Sequence, residues 1–221
     1  MMRIARVVPI CFAITIGAAP LLRAQPAASP DMKGYAEFNV GATFGHKSDL
    51  SVGGEGGWAV MRDLDVFVEL GHIGNAASDD LESRANTIAN NVGATASVVA
   101  KINYIDAGVR YRFVVNAPNV HPYVAAGFGA AHVNNETTLS VNGTVVPPEN
   151  LGVQFGTDLN GSETSPFFMF GFGSTVEFHT RYFVDVSYRY GRVFAKNDDA
   201  GNVVLAGTNT NRVQVGIGIK F

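Results

Sequence analysis

Nine ionisable residues occupy positions where an amphipathic chain would not be expected to spend charge. Glu37, Glu69, Asp106, Arg110, Arg112, Glu177, Asp185, Arg189 and Arg212 each stand inside segments that otherwise alternate apolar residues with glycine and small polar residues. Charges of both signs in such segments suit two chemistries, a relay that passes protons or ions and a set of mutually neutralising ion pairs. Spacing favours the structural network. Asp185 and Arg189 face the same way in an alternating segment, and Arg110 is expected to meet Glu69 or Glu177 at a similar depth. Nucleophilic catalysis needs a nucleophile, a base in reach and an acid to orient it. Only His46 and Ser48 stand close together, while His72, His132 and His179 lie near segment ends without a serine and a carboxylate beside them. Asp158 to Glu163 has the outline of a calcium loop, but its ligand number and spacing fall short of one. No catalytic residue, cofactor or metal site is therefore expected.

The elements that must position these charges are strands. Strand one is read over Gly34 to Phe44, with Phe38, Val40, Ala42 and Phe44 on one face and Glu37, Asn39 and Thr43 on the other. Such period-two alternation is the signature of a half-buried strand. It recurs over Val52–Met61, then from Leu64 after a two-residue turn, and over Val98–Phe113, Pro122–Val133, Phe167–Phe178, Tyr182–Val193 and Thr210–Phe221. Short turns (Arg62–Asp63, Val114–His121, His179–Arg181) alternate with long polar connections over 74–96, 134–165 and 194–209. An even number of strands joined up and down, with short turns at one end and long loops at the other, predicts an eight-stranded antiparallel transmembrane β-barrel. Its interior is just wide enough for side chains to fill. Tyr35, Trp58, Tyr111, Phe113, Phe178, Tyr182, Tyr188, Tyr190 and Phe221 fall near strand ends, where interfacial girdles want amphipathic rings. Within the longest loop, Asn142-Gly143 between β-formers predicts a hairpin and a projection of the flanking strands beyond the membrane.

Composition agrees. The 221 residues are 47% hydrophobic and only 16% charged, with 25 glycines and a net charge of −3. That gives no basic surface for nucleic acid. Residues 1–24, with Arg3 and Arg6 before an apolar run, read as a cleaved secretory signal peptide containing the single cysteine, Cys11. Removing Arg3, Arg6 and Arg23 leaves 13 basic and 19 acidic residues, a net of −6. Residues 25–33 then form a short periplasmic segment and 34–221 the barrel. Counting Asp49, Asp79, Asp80, Glu82, Glu136, Glu149, Asp158, Glu163, Asp198 and Asp199 against Lys47, Arg84 and Lys196 puts −7 of this charge in the loops.

Pro122 to Gly129, Phe183 to Tyr190 and the terminal alternation Val213, Val215, Ile217, Ile219, Phe221 resemble the small eight-stranded outer-membrane barrel families of Gram-negative bacteria. These include the OmpA-type transmembrane domain, OmpX and Ail proteins and opacity-type surface antigens. The resemblance covers nearly all of the chain from Gly34 onward. It implies that the terminal strand ending in Phe221 is read by the barrel-assembly machinery, and that the protein is a monomer of the outer membrane in contact with lipid and lipopolysaccharide. Longer members add a wall-binding domain, which is not expected here. The expected function is envelope integrity and surface interaction, adhesion or ligand binding, through acidic outer loops that meet a host or surface protein. A narrow channel and a lipid-modifying enzyme are the alternatives.

Overall fold

The computed structural model describes residues 33–45, 47–201 and 203–221. The expected signal peptide, its cleavage site, most of the segment 25–33 and His46 lie outside them. In chain order the elements are β1 (Gly34–Phe44), β2 (Leu50–Met61), β3 (Leu64–Ile73), α1 (Asp79–Asn91), β4 (Thr95–Arg112) and β5 (Val120–Val141). There follow β6 (Thr144–Val146), a 3-10 turn at Pro148–Leu151, β7 (Gly161–Glu177), β8 (Tyr182–Val193), β9 (Lys196–Asn197), β10 (Val203–Leu205) and β11 (Thr208–Lys220). Each of β1, β2, β3, β4, β5, β7, β8 and β11 pairs antiparallel with its neighbours in sequence, and β1 pairs with β11 from Tyr35↔Lys220 to Phe44↔Asn211. The result is a closed barrel of eight strands with no free edge between its first and last strand. At the seam the Gly34 and Phe221 backbones exchange hydrogen bonds of 2.9 Å in both directions.

Alternation sets which way each side chain points. The outward set includes Phe38, Val40, Val68, Leu70, Ile105, Val109, Phe128, Phe170, Val186, Val215 and Ile217, all exposed, with Phe128 at 60%. A contiguous apolar wall of this extent is a lipid-facing surface, since water-soluble monomers show only small apolar patches. Aromatic contacts ring its turn end: Trp58 with Phe221 (6.5 Å), Tyr111 with Phe113 (5.3 Å) and stacked Phe178 with Tyr182 (6.2 Å). Tyr35 departs from its expected girdle role. It shares the inward face with Glu37, is buried, and its hydroxyl donates to Glu55. Gly57 makes this possible, because a Cβ there would collide with the Tyr35 ring.

Three strands are longer than the sequence reading. β4 begins at Thr95, β5 runs on to Val141 and β7 starts at Gly161. Beyond Val133 the outward residues Asn134, Glu136 and Thr138 and the inward Asn135 and Thr137 are all polar, so no apolar period marks the strand. The 74–96 connection, read as polar loop, contains α1. Ser78 caps it by accepting from Leu81 N–H at 3.3 Å, and Asp79, Asp80 and Glu82 fill its first turn. Its buried face is Leu81, Ala85 and Ala89, two of them alanines, too slight an apolar stripe to stand out. The predicted hairpin is present: Asn142 (φ 51°) and Gly143 (φ 80°) take the left-handed conformations of a tight turn joining β5 to β6.

Candidate functional site

Two regions of the molecule carry features beyond a barrel wall, the ionic interior and the structure built on the long-loop end. In the interior, pairing register lays four carboxyls side by side: Glu37↔Glu55, Glu55↔Glu69 and Glu69↔Asp106, on β1 to β4. Arg189 and Arg212 are register partners on β8 and β11. Long arginine side chains from this wall reach the acidic one, and inward glycines leave room for the carboxyls. A Cβ at Gly216, for example, would strike the Glu37 carboxyl.

The ions form an alternating chain. Arg110 Nη2 lies 2.6 Å from Glu55 Oε1, Arg189 Nη2 2.7 Å from Glu55 Oε2, and Arg189 Nη1 2.5 Å from Glu69 Oε2. Arg212 Nη1 completes it at 3.7 Å from Glu69 Oε1. Tyrosines occupy further lone pairs. Tyr104 donates to Glu69 at 2.8 Å and itself accepts from Arg212, while Tyr123 donates to Asp185 at 2.9 Å. Arg110 stacks on the Tyr123 ring at 4.1 Å. Arg189 is 1% exposed, and Phe67, Phe167 and Phe183 are buried around the same column. The lumen is filled rather than open.

The nine charges singled out in the sequence therefore divide. Glu37, Glu69, Asp106, Arg110, Asp185, Arg189 and Arg212 are buried in the barrel. Arg112 sits instead at the turn-end rim, 3.0 Å from Asp65. Glu177 is also at that rim, with His121 at 2.8 Å and Lys220. Arg110 meets Glu55 and, at 3.9 Å, Glu37, rather than Glu69 or Glu177. Asp185 is bound by Tyr123 rather than by Arg189. Strand tilt is the reason for Arg110, since equal positions along neighbouring strands are not equal depths in a barrel, while Asp185 and Arg189 share a face of β8 but stand four residues, about 13 Å, apart along it. Glu55 is the residue sequence reasoning missed. It shares a face with Gly53 and Gly57, opposite Trp58, and that parity was the available signal.

At the loop end, β4, β5 and β7 continue past the apolar wall and form an external module with its own core. Leu81 and Ala85 of α1 pack with Ala77, Val98, Ala100 and Leu159, and Ala89 packs with Ala94, Leu139 and Val153. Asparagines finish the β4 edge that β3 leaves uncovered. Asn75 Oδ1 accepts from the Ala100 N–H at 3.1 Å and Asn86 Oδ1 from the Ala96 N–H at 3.2 Å. Four cations of this end are paired: Lys47 with Glu82 (2.5 Å), Arg84 with Asp158, Lys101 with Glu136 (3.1 Å) and Lys196 with Glu163 (2.6 Å). The hydrogen bond from Lys196 holds the Glu163 carboxyl below its ordinary range. The stretch from Asp158 to Glu163 is thus tied down by Arg84 and Lys196. Asp80, Glu149 and Asp199 stay exposed and give the module an acidic surface. His72 and His132 point outward, bonded to Asn103 (2.8 Å) and Thr164 (3.0 Å).

A closed barrel of eight antiparallel strands, apolar outside and ionic within, is the architecture of an outer-membrane barrel protein. The chain belongs to the outer membrane protein β-barrel domain family, whose model matches residues 11–221. Among solved structures it is similar to Neisserial surface protein A, at 16% identity and a TM-score of 0.52, over 85% of this chain and 97% of that one. It is also similar to a major outer membrane protein of Thermus thermophilus, at 10% identity and a TM-score of 0.50, over 85% and 99%. Ail, the attachment invasion locus protein of Yersinia pestis, aligns at 14% identity and a TM-score of 0.45, over 86% and 98%. A comparison with curated proteins finds no match.

Proposed function

We propose that this protein is exported by a cleaved signal peptide to the outer membrane, where the barrel anchors an acidic external module that acts in surface interaction and envelope integrity without catalysis. The observation that carries this reading is the second apolar core. Inert connecting loops need no capped helix, and here α1 is packed onto strands that continue beyond the lipid-facing wall. Rigid scaffolds that present structured loops commonly use them for binding. The exposed Asp80, Glu149 and Asp199 favour a basic partner, a host or surface protein. The name of Neisserial surface protein A fits a role at the cell surface. In this orientation the short turns are periplasmic, and the assembly machinery reads Val213, Val215, Ile217, Ile219 and Phe221.

The test is complementation of a null strain with the full protein or with a barrel whose segments 75–95, 136–163 and 196–208 are replaced by short turns. Detergent and large-antibiotic sensitivity are scored alongside surface folding. A trimmed barrel that folds but fails to restore resistance assigns the function to the module, and full restoration assigns it to the embedded body. Conductance of the purified protein in a planar bilayer, altered by Arg110→Ala or Arg189→Ala, would replace this reading with a narrow channel. A change in the lipid A mass spectrum between null and parent strains would replace it with a lipid-modifying enzyme. Deleting Phe221 is expected to lower the yield of protease-protected barrel in cells, and unchanged yield would remove the assembly role from that residue.

A further inference from the structure

The outward face of β8 ends, at the loop end, in an arginine that has no counter-ion among the described residues. Arg192 Nη1 donates to Asn209 Oδ1 at 2.8 Å, and the same oxygen accepts the Tyr190 hydroxyl at 2.9 Å. One step toward the turn end, Tyr188 donates to Asn211 at 2.8 Å. No carboxylate among the described residues lies within ion-pair distance of Arg192. Lys101, another outward cation of this end, is held by Glu136. Space is left beside the guanidinium by Gly207, where a Cβ would come within 3.2 Å of Arg192 Nη2.

Its height follows from the strand. The outward residues from Tyr182 to Arg192 cover about 33 Å of chain and, at a tilt of about 40°, about 25 Å of barrel axis, the height of a lipid-facing band. Arg192 therefore stands at the band's outer margin. Below it run Val186 on β8, Val213 on β11 and Phe168, its register partner on β7, all exposed. A guanidinium binds a phosphate through two parallel N–H bonds, and neutral amide and phenol groups beside it suit hydroxyls. Resting on the reading that the loop end faces outward, we propose that Arg192, with Tyr190 and Asn209, docks the phosphorylated sugar of an outer-leaflet glycolipid whose acyl chains lie along Phe168, Val186 and Val213.

The experiment follows the thermal unfolding of the full barrel in neutral detergent against four probes: lipid A with its phosphates, dephosphorylated lipid A, phosphatidylglycerol and inorganic phosphate. Phosphorylated lipid A is expected to raise the unfolding temperature, with an apparent affinity about tenfold weaker in Arg192→Gln. Dephosphorylated lipid A is expected to act weakly on both proteins. Equal affinity in parent and Arg192→Gln overturns the site, and an equal response to inorganic phosphate overturns the lipid assignment. An equal response to phosphatidylglycerol overturns the glycolipid assignment. Protease access to residues 136–163 in intact cells, measured in parallel, reports the orientation by itself, so failure of that reading is told apart from failure of the site. Should Arg192→Gln not fold, Gly207→Ala, which crowds the guanidinium without removing it, reads the same affinity.

Discussion

The embedded body and the external module are inverses of each other, although β4, β5 and β7 run through both. In the body the core is ionic, the Arg110–Glu55–Arg189–Glu69–Arg212 chain, and the outside is apolar. In the module the core is Leu81, Ala85, Val98, Ala100 and Leu139, and the outside carries Asn134, Glu136, Thr138 and the acidic tips. Along β5 the change falls between Ala130 and His132, within one step of the outward face. The difference teaches that a strand's period states only that its two faces differ, while the solvent on each side decides which residues those faces need. Lipid outside leaves polar groups nowhere to go but inward. Water outside restores the ordinary arrangement.

The comparison is broken most severely from inside the body. Arg189 bridges Glu55 and Glu69, so Arg189→Met leaves two buried carboxylates short of a partner and is expected to cost about 3–5 kcal/mol. Urea titration of refolding into lipid vesicles measures this. Asp106→Asn provides the contrast. Neither Asp106 oxygen has a hydrogen-bond partner, so exchanging that carboxyl for an amide is expected to cost far less than losing Arg189. Equal losses in the two variants would mean that the column is a diffuse polar filling rather than a chain of specific pairs.

The boundary itself can be tested with one substitution made twice. Val215→Arg places a cation on the mid-height lipid-facing wall and is expected to cost about 2–4 kcal/mol. Thr138→Arg places the same residue on the outward face of β5 in the module, where the cost is expected to stay within about 0.5 kcal/mol. Matching costs at the two positions would erase the distinction between a lipid wall and a water wall. A smaller effect belongs to the module's core. Ser78→Ala removes the α1 cap at about 1 kcal/mol. Hydrogen exchange should show the loss confined to α1 and the β4 edge, with the barrel amides unchanged.

How much of this is legible in the sequence follows the same divide. The body is, because lipid and a packed lumen impose strict alternation, so Phe38 to Phe44 and Val213 to Phe221 announce their faces. Seven of the nine singled-out charges are buried in the barrel, as alternation implies. Their partners are not legible. Partnership depends on strand stagger, which no single segment contains, and so depth along the strand points Arg110 to Glu69 while the structure matches it to Glu55. The module reads as loop because β5 is polar on both faces from Asn134 to Thr138 and the helix buries alanines. Only the Asn142-Gly143 turn stands out there, a backbone signal that needs no hydrophobic period. The Ser78 cap with its acidic first turn is a signal of the same kind, but no broad apolar stripe follows it to mark a helix.

The smallest expected effect tests whether the module's surface charges matter to its fold at all. Glu163 and Lys196 pair at 2.6 Å on the loop end, where water screens them. The hydrogen bond from Lys196 lowers the Glu163 carboxyl. A lowered folded-state value means that the unfolded chain binds the proton more readily, so the stabilisation is present above the ordinary carboxylate range and lost as pH falls through the folded value. Glu163→Gln is therefore expected to be slightly less stable than the parent at neutral pH and low salt, and indistinguishable from it in acid or at high salt. Proteolysis of the 136–163 segment, followed across pH and salt, reads this difference. A gap that survives high salt would show that Glu163 acts through packing, and the module would then rest on its rim as well as on its apolar centre.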